Sequence, residues 1–396
     1  MAPSTAATVS RWSRAFVATG VAFFLAWHLA VLAGYPRPAT VALGLYGFVF
    51  HVVFGKAYGL VPSYFARELA VPRAPTIHLP LAAVGAVGFF ANAAELAPPI
   101  VGTVAAASWL AGCLVFVGSV GWTVRSNWTG RETGTGSVDA HRTRVDRIAN
   151  AAIPFVFAYL LVGSSLAAVD RIGAGSAALP AQATTHLLAA GAAALLVFAI
   201  GFRLLPRLLA VAPHGSLVAV VLPTGAVGPA LLALGFRSES AFRIGAALQM
   251  IALVGFAVAY ADVYRRSERR RVGGWTILAA SGFAVLLAAL GGTVVVAAGS
   301  AGVVETHYRI AIGGFLGLTI VGVTYHFYPP AVASSARVDD RTAAAAALAL
   351  IVGLALEGVG LVALGSAVAT AGRSLSVLGA VLYAVVLGSV FRARPV

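Results

Sequence analysis

Apolar residues run along this chain in long stretches separated by short polar ones. A bilayer core about 30 Å thick needs roughly 20 apolar residues per crossing helix. About twelve such stretches fit, near 14–34, 39–62, 74–94, 98–122, 149–169, 183–205, 215–236, 241–263, 274–298, 304–329, 342–365 and 374–392. The pattern predicts an all-α fold, a polytopic membrane helical bundle of about twelve transmembrane helices in one integral membrane domain over 1–396. The first stretch is too long for the apolar region of a signal peptide and lacks a small-residue cleavage site, so it is read as the first helix. The only sizeable polar segment, about 123–148, is rich in Gly, Thr and Arg and reads as a flexible cytoplasmic loop.

Composition agrees with this. The chain is 60% hydrophobic and 10% charged, with a mean hydropathy of +0.92, against about 25% charged residues in an average soluble domain. A net charge of +14 would suit a nucleic-acid partner, but the placement of the basic residues argues against one. Numbered from an inside N-terminus, 21 of the 27 Lys and Arg fall in inside loops, among them Arg11, Arg14, Lys56, Arg142, Arg144, Arg147, Arg269, Arg270, Arg271, Arg337, Arg392 and Arg394. Only Arg37, Arg171, Arg237, Arg243, Arg309 and Arg373 fall outside. This is the positive-inside asymmetry of an even number of helices. It predicts a multi-pass protein of the plasma membrane with both termini cytoplasmic, its partner the lipid bilayer and not nucleic acid. The single Cys113 excludes an intrachain disulfide, an iron-sulfur site and covalent C-x-x-C-H haem attachment, and reads as a small buried hydrophobe.

Helix 2 ends Gly55-Lys56-Ala57-Tyr58-Gly59-Leu60-Val61-Pro62 and helix 10 ends Gly322-Val323-Thr324-Tyr325-His326-Phe327-Tyr328-Pro329, both G-x-x-Y-x-x-x-P. Helix 6 carries the shorter Gly201 to Pro206, and Thr185-His186 precedes Gly201 as Thr306-His307 precedes Gly322. Helices 2, 6 and 10 are thus equivalents spaced four spans apart, which predicts three pseudo-equivalent four-helix units. Proline is expected to stop each helix and glycine to permit close packing.

Histidines are the most informative polar residues. His28, His186 and His307 fall in the outer half and can share one layer, whereas His51 lies near the middle of helix 2. His326 is close to the inner end of helix 10, His78 near the inner start of helix 3, and His141 and His214 belong to the inner edge. Polar residues inside spans are rare and mark functional paths or cofactors, and imidazole is the commonest ligand of haem iron and copper. The histidines inside spans are therefore candidate metal or haem ligands, against the plainer reading of satisfied buried polar groups.

The segment from Glu305-Thr306-His307-Tyr308-Arg309 through Gly313-Gly314-Phe315-Leu316-Gly317-Leu318-Thr319 to Tyr325-His326-Phe327-Tyr328-Pro329-Pro330 resembles helix 10 of haem-copper oxidase subunit I-like proteins. His51-Val52-Val53-Phe54-Gly55, with Gly59 and Pro62, resembles helix 2 of that superfamily and of the NnrS family, haem- and copper-containing membrane proteins connected with nitric oxide. The resemblance implies twelve helices in three arcs, non-covalent haem of b-type or related kind with copper as a further cofactor, and an electron donor or another respiratory subunit as partner. It implies His51 and His307 as haem ligands and His186 as a copper ligand; His28 is a further candidate haem ligand and His326 a further candidate metal ligand. The departures are that helix 7 has no adjacent histidine pair, that Glu305 and Arg309 stand where a second histidine near His307 would be, and that Ala190 replaces the tyrosine expected after His186. A complete oxygen-reducing centre is not expected. By the repeat register His51 also lies eleven residues deeper than His307, about 16 Å, so His28 or His186 is the alternative partner of His307.

Four further readings concern isolated residues. Glu305 and Arg309, four apart, are expected to pair on one helix face and to orient His307 or a haem propionate. Glu357, deep in helix 11, is expected protonated, hydrogen-bonded or on a proton path. Lys56 is expected to snorkel to the inner surface, and Trp27 and Trp122 to be interfacial anchors. Two functions remain open: a haem protein of electron transfer or of oxygen or nitric oxide metabolism, and a secondary transporter with a mid-membrane substrate path.

Overall fold

The structure is a computed structural model that describes residues 5–171, 179–297, 299–333 and 338–394; Arg337 of the charge count lies outside them. Among the described residues, twelve helices are long and apolar enough to cross a membrane: α1 Thr5–Leu32, α2 Arg37–Tyr64, α3 Ala74–Ala93, α4 Ile100–Asn127, α5 Ser137–Arg171, α6 Ala181–Leu208, α7 Gly215–Gly235, α8 Glu239–Arg266, α9 Val272–Ala297, α10 Ala301–Phe327, α11 Asp340–Leu364 and α12 Ser366–Ala393. They match the twelve predicted stretches in order, with α1 and α5 starting earlier because their first turns are polar and hydropathy does not register them. Both described ends of the chain lie at one end of the bundle, called here the terminal end; the opposite one is the far end.

Nine helices form a ring around three. Of the most apolar stretch of each helix, 78% is buried in α2, 72% in α6 and 78% in α10, against 56% or less elsewhere. Sequence-adjacent helices pack in three curved sets, α3 to α6, α7 to α10, and α11 and α12 continuing through α1 to α2. Each set delivers its last member to the centre, and these are the helices that carry the repeated glycine and proline pattern. The ring helices present Ile77, Val84, Leu114, Phe155, Val258 and Leu378 outward, an apolar periphery that needs lipid around it. The chain is a multi-pass membrane protein.

Glycine sets how closely the layers approach. A Cβ on Gly322 of α10 would lie 2.6 Å from the carbonyl oxygen of Gly273 on α9, and one on Gly273 would lie 2.5 Å from that of Gly322. The two backbones therefore touch, as small residues allow in lipid-embedded helix pairs. Termination by proline is less sharp than expected: α2 and α6 run past Pro62 and Pro206, and only α10 stops short of Pro329.

The segment between α4 and α5 is not the free loop its composition predicts, because buried polar groups hold it. Arg203 of α6, with its guanidinium 4.0 Å over the Tyr64 ring, donates from Nη1 to Asn150 Oδ1 (2.5 Å) and the Tyr64 carbonyl (2.8 Å), and from Nη2 to the Thr133 carbonyl (2.5 Å). Arg203 and Arg207 both pair with Asp146, whose side chain is fully buried and accepts from Thr135 as well. Asn127 donates to the Phe65 and Glu132 carbonyls. A buried carboxylate must be paired to be tolerated, and here its partners fix the loop to α2, α5 and α6.

Candidate functional site: buried imidazoles around the inner helices

The three inner helices share a feature that neither hydropathy nor motif reveals. Each contains eight residues of π-helix, Ala42–Val49 in α2, Leu187–Ala194 in α6 and Ile310–Gly317 in α10. Such segments are rare and are found mostly at functional sites. His186 immediately precedes the second, Arg309 immediately precedes the third with His307 two residues before it, and His51 follows the first by two residues. The residues singled out from sequence thus cluster at the edges of the π segments.

His51 is fully buried, its ring 5.0 Å from that of Phe23 and 6.0 Å from that of Phe16 on α1. Its Nδ1 lies 3.0 Å from the carbonyl oxygen of Tyr46, inside the π segment. A carbonyl only accepts, so Nδ1 carries the proton and Nε2 the lone pair. Nε2 has no partner. His186 is set the same way, Nδ1 2.7 Å from the Gln182 carbonyl oxygen. An imidazole whose Nδ1–H is tied to a backbone carbonyl and whose Nε2 is free is in the tautomer and orientation of a metal ligand.

The histidines fall into separate groups. His307 lies within electrostatic range of His186, and its ring occupies the space beside Gly291 of α9, where a Cβ would come 3.3 Å from Cε1; its Nδ1 is unpartnered. His51 neighbours His78 of α3, also fully buried, whose Nδ1 shares a hydrogen bond with the Tyr58 hydroxyl (3.0 Å) and whose Nε2 is unpartnered. Phe16 stands beside both rings. The sequence reading did not propose His78 as a ligand, because its place near a helix end hid how completely α1, α2 and α4 cover it. His28 is buried with neither ring nitrogen partnered, its ring 4.6 Å from that of Trp27 and in electrostatic range of Arg309. His326 lies at the terminal end against Gly273 and near Arg271.

His51 and His307 lie at different depths, as the repeat register implies. A Cβ on Gly44 would lie 3.0 Å from Ile312 Cγ2, which puts residues 44 and 312 of the parallel α2 and α10 at one level. His51 follows that level and His307 precedes it, for a separation of about 18 Å at 1.5 Å per residue. His28 is not the partner of His307 either: it sits by Arg309, two residues and hence about 200° around α10 from His307. Nor do His186 and His326 share an ion, being at opposite ends of the inner helices. Among the described residues no three His, Cys, Asp or Glu side chains converge as a cation site.

The charged residues also rearrange. Glu305 pairs with Arg37 of α2 (2.8 Å), not with Arg309. Arg309, 1% exposed, instead crosses to α11, donating from Nε to both carboxylate oxygens of Glu357 (3.1 Å each) and from Nη2 to Oε2 (3.0 Å). Arg373 of α12 donates from Nε to Oε1 (2.9 Å). A guanidinium out of water gains more from a carboxylate equally out of water than from one at the surface. Trp27, expected at the interface, is fully buried, with the Arg309 guanidinium 4.2 Å over its ring and its Nε1–H bonded to the Tyr308 hydroxyl (2.9 Å). Trp122 is 58% exposed on the periphery. Lys56 reaches toward the terminal end, its Nζ 2.7 Å from the Tyr328 hydroxyl and 4.3 Å from the Phe327 ring centroid. It lines a cleft of about 80 Å³ between the inner helices, with Val52, Leu196, Ile200, Thr319 and Val323 among the walls.

Compared with known proteins, the chain matches no family model and no curated protein sequence.

Proposed function

We propose that this chain is a membrane haem protein of the oxidase subunit I-like or NnrS-like kind, working in electron transfer or in oxygen or nitric oxide metabolism without a complete oxygen-reducing centre. The observation that carries the reading is His51: a fully buried imidazole on an inner helix, Nδ1 committed to the Tyr46 carbonyl, Nε2 free. These residues fit an axial ligand of iron, and His186 with His307 forms a second candidate pair. Haem bound there would supply one-electron transfer and a place for a diatomic gas. The protein's part is to fix the imidazole tautomer, exclude water with Phe16 and Phe23, and leave the lone pair unsatisfied. The basic terminal end faces the cytoplasm of a plasma-membrane protein on this reading, and an electron-carrying subunit or donor is its partner.

The test is spectroscopic. Protein purified from membranes after expression with ample haem should show a Soret band, and His51→Ala and His307→Ala, folded by the same chromatographic and melting criteria, should remove or shift it. Pure, folded and colourless wild-type protein would refute the reading. A second reading, secondary transport, is favoured by the cleft between α2, α6 and α10 with Lys56 at its wall, and flux into proteoliposomes that Lys56→Met abolishes would support it.

A further inference from the structure

The arginine cluster of α10, α11 and α12 is not self-contained. Arg309 is 1% exposed and Glu357 fully buried, and Arg373 completes the group, so two guanidinium charges face one carboxylate. Arg37 and Glu305 neutralise one another nearer the far end and contribute no balancing charge. Three polar groups around the surplus charge lack partners. Arg309 Nη1 is buried with no acceptor, neither nitrogen of His28 has a partner, and Thr306 Oγ1, three residues from Arg309 and thus on the same face of α10, has none. Thr306 faces α11, since a Cβ on Gly358, next to Glu357, would lie 3.0 Å from its Cγ2. Trp27 fixes the position of two of these groups, its ring lying under the Arg309 guanidinium and beside the His28 ring. Leaving a buried charged donor unmade is among the costlier defects of a fold, and Arg309 Nη1, with two further unpartnered groups in its neighbourhood and one uncancelled positive charge, asks for an acceptor.

We propose that Arg309 Nη1, His28 and Thr306 form a binding site for one small monovalent anion, reached from the far end past the partly exposed Arg373. The charge of the cluster selects the ligand class: one negative charge neutralises two arginines and one glutamate, whereas a dianion would overshoot and add a fresh desolvation cost. Halide, nitrate and a small monocarboxylate share this chemistry.

The experiment is a melting curve of the purified full-length chain in detergent at constant ionic strength, exchanging sodium sulfate for sodium chloride, sodium nitrate or sodium acetate. A ligand that binds only the folded state raises the melting temperature with the logarithm of its concentration. The expected result is a saturable rise with at least one monovalent anion and none with sulfate; the chloride and nitrate arms against the acetate arm tell an inorganic ion from a carboxylate. Arg373→Gln, which leaves the Arg309–Glu357 pair in place and brings the cluster to neutrality, should remove the dependence, and Thr306→Val should weaken binding by about tenfold, one lost hydrogen bond to a charged ligand. A melting temperature indifferent to the anion in the wild type, which is also what a resident group's carboxylate filling the site would give, overturns the proposal. So does an undiminished response in Arg373→Gln. Neither result depends on whether the protein is coloured, so this test and that of the haem reading fail separately.

Discussion

Replacing Glu357 with glutamine separates two descriptions of the deepest acidic residue in the bundle. If the side chain were a protonated acid hydrogen-bonded in an apolar helix, glutamine would reproduce its shape and most of its bonds, and the cost would stay near about 1 kcal/mol. The structure describes a counterion: Glu357 is fully buried and accepts from Arg309 at 3.0 and 3.1 Å and from Arg373 at 2.9 Å. Removing one partner of a buried ion pair typically costs about 3 to 5 kcal/mol, because the remaining charge stays buried, and here two guanidinium groups would be left facing each other. We therefore expect Glu357→Gln to destabilise by about 3 to 5 kcal/mol. The double variant Arg309→Met/Glu357→Met should recover most of that loss, since Arg373 can extend toward the far surface. Reversible unfolding in mixed micelles, followed by tryptophan fluorescence, gives the three values and the coupling between sites. A single-variant cost below about 1 kcal/mol, or a double variant no better than the single, would refute the ion-pair account.

Two further outcomes follow from the packing and from the docked loop. Gly273→Ala should cost about 1 to 3 kcal/mol by forcing α9 away from α10, its new methyl meeting the Gly322 carbonyl oxygen at 2.5 Å and His326 Cδ2 at 2.9 Å; an unchanged melting curve would show that the helices do not cross so closely. In the loop, the Arg67 guanidinium 2.6 Å from Glu132 holds that carboxyl below its ordinary value of 4.5. A depressed acid contributes its stabilisation above the unfolded-state value and loses it as pH falls through the folded-state one. Hydrogen exchange over 128–136 should thus be equally protected from neutral pH down to about 5, loosen only below 4.5, and lose this dependence in Arg67→Gln; loosening already near pH 6 would point to another group.

Much of the architecture was legible because a bilayer imposes a length on every crossing helix, and twelve apolar stretches of that length are hard to misread. The four-span period was legible too, from Gly55, Gly201 and Gly322. What sequence spacing cannot deliver is the direction in which a side chain points around an apolar helix, where no polar face gives it away. The repeat register separates His51 from His307 in depth but not in direction: one faces Phe16 and Phe23 and the other Gly291. Arg309 was assigned its neighbour in sequence, Glu305, because the competing acid lay 48 residues away. Trp27 and the loop around Thr133 were misjudged for one reason: composition reports what a residue tolerates, not which buried charge claims it.

The π segments carry a consequence for how such a bundle can change. A helix that closes its hydrogen bonds one residue further along has absorbed an extra residue without breaking. Reverting one of these segments to ordinary α geometry, by deleting a single amino acid within it, would turn everything downstream by about 100° while leaving the upstream half docked. In α2 that rotation would swing His51 away from Phe23 and bring a different side chain to the same place. Three central helices built this way hold three places where one insertion or deletion re-aims the half that follows, and in α10 the repacking would reach α9, whose Gly273 lies against Gly322.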